Sequence, residues 1–257
     1  VGGPVSTPVL LSIGTTHPWN IAGVGLDAQV AAEFGLRSAT VVVGVTAQDH
    51  SGVRERFAVP SEVVRAQLES IPHDHLTAIR VGAVFDEQNV GEVARFLRSK
   101  PEIPAVVDPV FTATLGGNFG GNGSFAAFRA TILALPVILT PNIPEAERLT
   151  ARTITNKDQM ISAAHALRAM GPRAVLLKGG HLAGDPLDVL VTADETKIFT
   201  QTRLAQTMRG TGCTLAAALA CELAKGRRLE EAVESARAYV RKKIEAQIPY
   251  ASLHVAF

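Results

Sequence analysis

The segment Arg209-Gly210-Thr211-Gly212-Cys213-Thr214 runs directly into Leu215-Ala216-Ala217-Ala218-Leu219-Ala220. It reads as a glycine turn feeding an alanine-rich, buried helix that packs tightly against a sheet. Glycines at 210 and 212 let the first free backbone N–H groups of that helix point at one spot, and the helix dipole adds positive potential there. The segment is therefore a candidate anion hole. A lone Gly-Thr-Gly would more often be an ordinary helix start. Here Arg209 adds charge and Cys213 places a thiol in the first turn, where its pKa is expected to fall. Cys221, deeper in the same apolar helix, reads as a small core residue.

Outward from this helix, short β-branched runs alternate with longer segments of helical period. Strands are predicted at Val9–Ile13, Ala39–Val45, Ile79–Val84, Ala105–Val107, Val137–Leu139 and Ala174–Leu177. Each is short and nearly all apolar, as strands buried on both faces are. Helices are predicted at Gly25–Phe34, Glu62–Ser70, Val90–Ser99, Phe125–Leu133, Glu145–Leu149, Lys157–Met170, Thr214–Lys225 and Glu230–Gln247, with a late hairpin pairing Asp188–Val191 and Lys197–Thr200. This alternation predicts an α/β fold, a mostly parallel central sheet with helices on both faces. With no linker and no internal repeat, residues 1–257 are expected to form a single domain, residues 1–8 being a tail. The run Thr112–Ser124 holds Gly116, Gly117, Gly120, Gly121 and Gly123. It reads either as a surface loop or as a flap over a site.

Ligands of an open parallel sheet bind beyond the carboxyl ends of its strands, and polar residues gather there. Gly14-Thr15-Thr16-His17 follows the first strand, Thr46-Ala47-Gln48-Asp49 the second and Asp108-Pro109 the fourth. Thr140-Pro141-Asn142-Ile143-Pro144-Glu145 and Lys178-Gly179-Gly180-His181 follow the next two. Asn142 and Glu145, three apart at a helix start, have the spacing for two oxygen ligands of one hydrated Mg²⁺, and equally that of a helix cap with an acid in the first turn. Asp108 has the same two readings. Lys178, followed by two glycines, reads as a phosphate contact or as a surface lysine in a turn. His73-Asp74-His75 has no third ligand spaced with it and reads as a solvated loop, and Arg241-Lys242-Lys243 as the outer face of the last helix.

Composition excludes several classes. Of 257 residues, 25 are Lys or Arg and 24 Asp or Glu, for a net charge of +1, so no basic excess attracts nucleic acid. No run approaches the ~18 apolar residues that span a membrane. Two cysteines cannot build a disulfide framework, which suits a cytoplasmic chain. The chain lacks a Walker-type Gly-Lys-Ser/Thr, a hydrolase elbow and the three-glycine dinucleotide fingerprint.

In order, Ala22-Gly23-Val24-Gly25-Leu26-Asp27, Thr46-Ala47-Gln48-Asp49, Val107-Asp108-Pro109-Val110, Thr140-Pro141-Asn142-Ile143-Pro144-Glu145-Ala146, Lys178-Gly179-Gly180-His181 and Gly210-Thr211-Gly212-Cys213-Thr214-Leu215 resemble the motifs of the hydroxymethylpyrimidine/phosphomethylpyrimidine kinase family of thiamine biosynthesis. The resemblance runs from Ser12 to about Glu245. Cys213 is a specific mark, since most of the ribokinase-like superfamily has Asp there. The resemblance implies a ribokinase-like three-layer sandwich, a homodimer, and phosphorylation of hydroxymethylpyrimidine or its monophosphate with ATP and Mg²⁺. It implies that Lys178, His181, Arg209 and Thr211 contact ATP. Gly210, Thr211 and Gly212 would stabilise the transferring phosphoryl group while Cys213 takes a proton. Asp108, Asn142 and Glu145 would attend Mg²⁺, and Gln48, Gly14, Asp27, Ala83, Val110 and Trp19 would form the substrate pocket. Departures fall on the substrate side. Trp19-Asn20-Ile21 replaces a small Ser-Gly-Gly, Thr16 and His17 stand where an Asp is usual, Phe111–Gly116 lacks the family's Lys, and Arg209 replaces a His. A pyridoxal-like vitamin alcohol is the competing substrate, and a catalytically weak ligand-binding homologue is the competing class.

Overall fold

A computed structural model describes residues 7–49, 52–111, 121–180, 182, 184–206 and 208–246. The chain runs β1 (Val9–Thr15), α1 (Gly23–Glu33), β2 (Arg37–Asp49), β3 (Gly52–Ala58), α2 (Ser61–Glu69), a 3-10 turn (His73–His75), β4 (Leu76–Val81), α3 (Glu87–Arg98) and β5 (Ala105–Val107). It continues through α4 (Asn122–Thr131), β6 (Ile138–Leu139), α5 (Ile143–Thr150), α6 (Lys157–Arg168), β7 (Ala174–Lys178), β8 (Leu187–Val191), β9 (Thr196–Thr200), α7 (Thr211–Ala224) and α8 (Leu229–Glu245). The strands form one sheet in the order β3-β2-β1-β4-β5-β6-β7-β8-β9. Pairings from β2 through β7 are parallel, and β3, β8 and β9 are added antiparallel at the two sides.

Alternation along each strand sorts side chains between two layers. On one face Leu11, Ile79, Val107, Leu139 and Val175 pack with α2 to α6. On the other, Leu10, Ala78, Val106, Ile138 and Leu176 pack with α1, α7 and α8. The expected three layers and mostly parallel sheet are present. The chain steps from β1 outward to β2 and β3, then returns to place β4 on the other side of β1. That reversal opens a crevice at the carboxyl ends of β1 and β4.

Three expectations are corrected. The strand predicted at Ala39–Val45 extends to Asp49, so Thr46-Ala47-Gln48-Asp49 lies within β2, where it pairs with β3. β3 was not foreseen, because Arg54-Glu55-Arg56 breaks any apolar run. His73 is part of the packing, its Nε2 within 2.9 Å of the Leu68 carbonyl and its ring edge-on to Phe96. Most of the Thr112–Ser124 run lies outside the described residues, and its end opens α4. Among the described residues no helix is long and apolar enough to cross a membrane.

Helix α7 is alanine-rich because it lies across the middle of the sheet. Ala216, Ala217, Ala218 and Ala220 are fully buried, and larger side chains would hold the helix off the strands. Ala217→Leu is expected to cost about 1–3 kcal/mol, read as a lower denaturation midpoint in urea with an unchanged slope.

Candidate active site

Ser12 on β1 and Arg80 on β4 are register partners. Both face the α1/α7 layer, just where its apolar cluster ends. Asp27 of α1 meets them: its Oδ2 accepts from Ser12 Oγ at 2.5 Å and lies 3.1 Å from Arg80 Nη1. Asp108, one residue past β5, accepts from Arg80 Nη2 at 3.5 Å, from Lys178 Nζ at 2.7 Å and from Thr140 Oγ1 at 3.2 Å. A chain of alternating charge, Asp27–Arg80–Asp108–Lys178, thus crosses four strands in an interior where Arg80 and Asp108 are 1% and 2% exposed. Burial opposes each charge, and the neighbours decide the outcome. Lys178 and Arg80 hold Asp108 below the usual carboxylate range despite its burial. Asp108 and Glu145 raise Lys178, whereas at Asp27 burial wins over Arg80 and Ser12 and its carboxyl is raised. Gly82 makes room for the cluster, since a Cβ there would lie 2.0 Å from Arg80 Nη1.

The start of α7 faces this cluster. Gly210 caps it at φ +75°, where a Cβ would lie 2.1 Å from the Ile21 carbonyl oxygen, so both backbone and space require glycine. The first intrahelical bond is Thr214 N to Gly210 O at 2.8 Å. The amides of Thr211, Gly212 and Cys213 therefore stand ahead of the helical ladder as potential anion donors. A Cβ on Gly212 would sit 3.1 Å from Lys178 Nζ, so helix start and lysine address the same space. The Arg80 guanidinium is among the charges that face the Cys213 thiol. The expected depression of the thiol's pKa is corrected. Burial pushes the thiol up, and the pull of Arg80 and Lys178 is offset by Asp108 and Asp27. Cys221 is fully buried in the core, as expected.

Asn142 and Glu145 form a capping box at α5. Asn142 Oδ1 accepts from the Glu145 amide at 2.9 Å, and Glu145 Oε2 from the Asn142 amide at 2.8 Å. Asn142 also bridges to Lys178 beside it in the sheet. The cap reading and the site reading thus hold for the same residues. Burial pushes the Glu145 carboxyl up to about 8 against the pull of Lys178. Lys178 is no surface residue; its ammonium is enclosed at the end of β7.

Toward β2, Gln48 Nε2 donates to Thr46 Oγ1 at 2.8 Å, and Thr46 Oγ1 donates to the Thr16 carbonyl at 2.6 Å. Arg209 Nη1 reaches the Asp49 carbonyl at 3.3 Å. His17 is buried, its pKa lowered by burial and by Arg209, and its Nδ1 accepts from the Trp19 amide at 3.1 Å. Gly14 and Ala83 are buried at the ends of β1 and β4, Val110 is half-buried, and Trp19 is exposed. Asp27 lies in the ionic cluster. Phe111 packs edge-on against Phe125 and Phe128 in the core. His181 lies outside the described residues. Among the described residues no group of three or more His, Cys, Asp or Glu is placed to hold a metal ion. Arg80, Ser12 and Thr140 were missed by sequence reasoning. The available signal was a charged residue inside the apolar run Ala78-Ile79-Arg80-Val81.

The family model for phosphomethylpyrimidine kinase matches residues 19–256. The chain belongs to that family. This kinase is 36% identical over 248 residues to the hydroxymethylpyrimidine/phosphomethylpyrimidine kinase of Streptomyces coelicolor, covering 96% of this chain and 92% of the relative. It is 35% identical to the enzyme of the same name from Rhizobium meliloti, over 93% of this chain and 91% of the other. Among solved structures, the phosphomethylpyrimidine kinase of Clostridium difficile superposes with a TM-score of 0.83 at 28% identity, over 93% of this chain and 100% of that one. An ADP complex of Bacillus subtilis pyridoxal kinase superposes at 0.86 with 25% identity, over 95% and 94%. The expected family and ribokinase-like fold are borne out.

Glu145 gives the kinase a pH-dependent stability. Its folded pKa is raised, so the folded state holds a proton that the unfolded state releases. The associated stability is complete below the ordinary glutamate range and is lost as pH climbs to about 8. Melting temperatures measured from pH 5 to 9 without divalent cations should therefore fall more steeply for the unaltered kinase than for Glu145→Gln.

Proposed function

We propose that this kinase transfers the γ-phosphoryl group of ATP to hydroxymethylpyrimidine or to its monophosphate. The observation that carries the reading is the convergence of three things on one space: the free amides at the start of α7, the Lys178 ammonium and the Cys213 thiol. Phosphoryl transfer needs donors aimed at developing negative charge and a group to take the proton of the attacking hydroxyl. The amides of Thr211, Gly212 and Cys213 and the α7 dipole supply the first, with Lys178 beside them. Cys213 supplies the second as thiolate. Arg209 brings positive charge to the β2 side, where it reaches the Asp49 carbonyl, and this favours a substrate that already carries a phosphate. Gln48, released from Thr46, has an amide that matches the edge of a pyrimidine.

The donor set fits Mg²⁺. Glu145 offers a buried hard-oxygen donor whose charge Lys178 only partly offsets against burial, as a site for a further cation requires. Asp108 stands nearby with its oxygens on Lys178, Thr140 and Arg80, and Asn142 keeps Glu145 in place through the capping box. When bound, the ion neutralises charge on the nucleotide phosphates.

A coupled ADP-release assay with hydroxymethylpyrimidine, its monophosphate and pyridoxal tests the substrate. Turnover of pyridoxal alone would favour the second reading, a pyridoxal-type vitamin kinase, for which the likeness to the Bacillus subtilis enzyme speaks. Binding without turnover of any of the three would leave a ligand-binding homologue. Cys213→Ala should cut turnover by at least ~10² with ATP affinity near normal, the usual scale for loss of a general base. Unchanged turnover would remove Cys213 from the mechanism.

A further inference from the structure

Asp188 interrupts the apolar run of β8, where Val189, Leu190 and Val191 are fully buried. It is the register partner of Lys178, the last residue of β7. Alternation with Leu176 and Leu190 places both side chains on the α7/α8 face of the sheet. Opposite charges directly across two strands ordinarily pair. Each is engaged elsewhere here. Lys178 Nζ donates to Asp108 at 2.7 Å. Asp188 Oδ1 accepts from the Gly179 amide at 3.1 Å, and its Oδ2 from Arg237 Nε of α8 at 2.8 Å. Arg237 also donates to the Phe199 carbonyl at 3.3 Å, and its guanidinium lies 5.5 Å from the Phe199 ring centroid. The row Asp27–Arg80–Asp108–Lys178 thus continues by one strand, and one oxygen of the added carboxylate is committed to a backbone amide.

That amide is where the chain leaves β7. A Cβ on Gly179 would lie 2.1 Å from the Leu187 carbonyl oxygen, so a side chain has no room there. Glycine gives this point the greatest backbone freedom, and a partner is needed to fix it. Gly180 differs. Its backbone is outside the left-handed region, and a Cβ there would meet nothing within 4 Å among the described residues. The fold itself does not require glycine at 180, whereas a ligand that approaches the backbone closely does. A purely structural carboxylate at 188 could be exchanged for an apolar side chain like its neighbours, since buried ion pairs seldom add net stability.

We propose that Asp188 is a positioning residue for the phosphate donor: with Arg237 as counter-ion, it holds the Gly179 amide and fixes the backbone of Lys178, Gly179 and Gly180 against the nucleotide phosphates. The inference rests on ATP lying at Lys178 and the start of α7. The Lys178 ammonium keeps its place beside Asp108 and Gly212 only while the main chain that carries it is held. Without the anchor, the peptide between Lys178 and Gly179 is free to turn, and the Gly180 backbone turns with it. The pyrimidine side of the crevice is remote from this anchor. Gln48 is on β2, and β1, β4, β5, β6 and β7 stand between it and β8.

The test compares the unaltered kinase with Asp188→Val, Asp188→Asn and Arg237→Gln. Calorimetry gives the affinities for ADP with Mg²⁺ and for hydroxymethylpyrimidine, or whichever alcohol the ADP-release assay selects. Steady-state rates give KM for ATP, and melting temperatures are recorded alongside. Asp188→Val should weaken ADP binding and raise KM for ATP at least ~10-fold, the scale of one buried charge-assisted hydrogen bond. Affinity for the alcohol should stay within about twofold, as for a distant, independent site. Asp188→Asn keeps an oxygen for the Gly179 amide and should retain most of the nucleotide affinity. Arg237→Gln removes the counter-ion and should fall between the two. An Asp188→Val kinase that melts lower yet binds ADP as before overturns the proposal. So does an equal loss of both ligands, which would mark general disorder, and so does an equal loss in Asp188→Val and Asp188→Asn, which would assign the effect to charge alone. If Asp188→Val does not fold, Arg237→Gln carries the test, and unchanged ADP affinity in that variant overturns the proposal. An unaltered kinase that binds no ADP strikes instead the reading on which the proposal rests, and the proposal with it.

Discussion

A guanidinium at 1% exposure survives in a protein interior only where anions face it, and Arg80 has Asp27 on one side and Asp108 on the other. This contact joins elements that are far apart in the chain. Asp27 belongs to the first helix, Arg80 to the fourth strand, Asp108 to the end of the fifth, and Lys178 extends the series to the seventh. Removing any one member strands a buried charge, which is costly, whereas the intact set is held by mutual attraction and hydrogen bonds. The sheet order places β1 and β4 side by side, and the cluster fills the crevice that this order opens.

The same crevice determines how α7 docks. Small side chains bring its axis close to the strands. Gly210 turns the chain under the Ile21 carbonyl, and Gly212 leaves space for the Lys178 ammonium. The helix thus points its unpaired amides toward the cluster without adding bulk between them. At the neighbouring strand end, Asn142 and Glu145 cap α5 and present a carboxyl beside Lys178. Local helix chemistry and site chemistry are here the work of the same atoms.

Much of this was legible in the sequence. The apolar strand runs, the alanine-rich helix and the polar residues after the strands located the sheet, α7, Asp108, Asn142, Glu145 and Lys178, because burial on two faces leaves a clear hydrophobic signature and function collects at strand ends. What was not legible depends on three dimensions. β3 is a charged, exposed strand whose only reason to exist is pairing with an extended β2. Arg80 hides in an apolar run, and its partners stand 53 and 28 positions away along the chain. The thiol of Cys213 could be credited with a helix dipole from sequence, but its burial and its pair of facing carboxylates could not be read there.

The two antiparallel additions give the sheet a further property. β3 presents Arg54, Glu55 and Arg56 along its length, and on β9 Lys197 is engaged by Glu234 at 2.9 Å and Glu230 at 3.6 Å. Between these borders lie strands so apolar that, left unguarded, they would template the addition of foreign strands. Sheets closed by long-range pairing assemble slowly and leave such borders open for longer during folding. Charge at both rims makes a stranger's strand a poor guest there, so the outermost hairpins work as bumpers against aggregation while the catalytic middle is still taking shape.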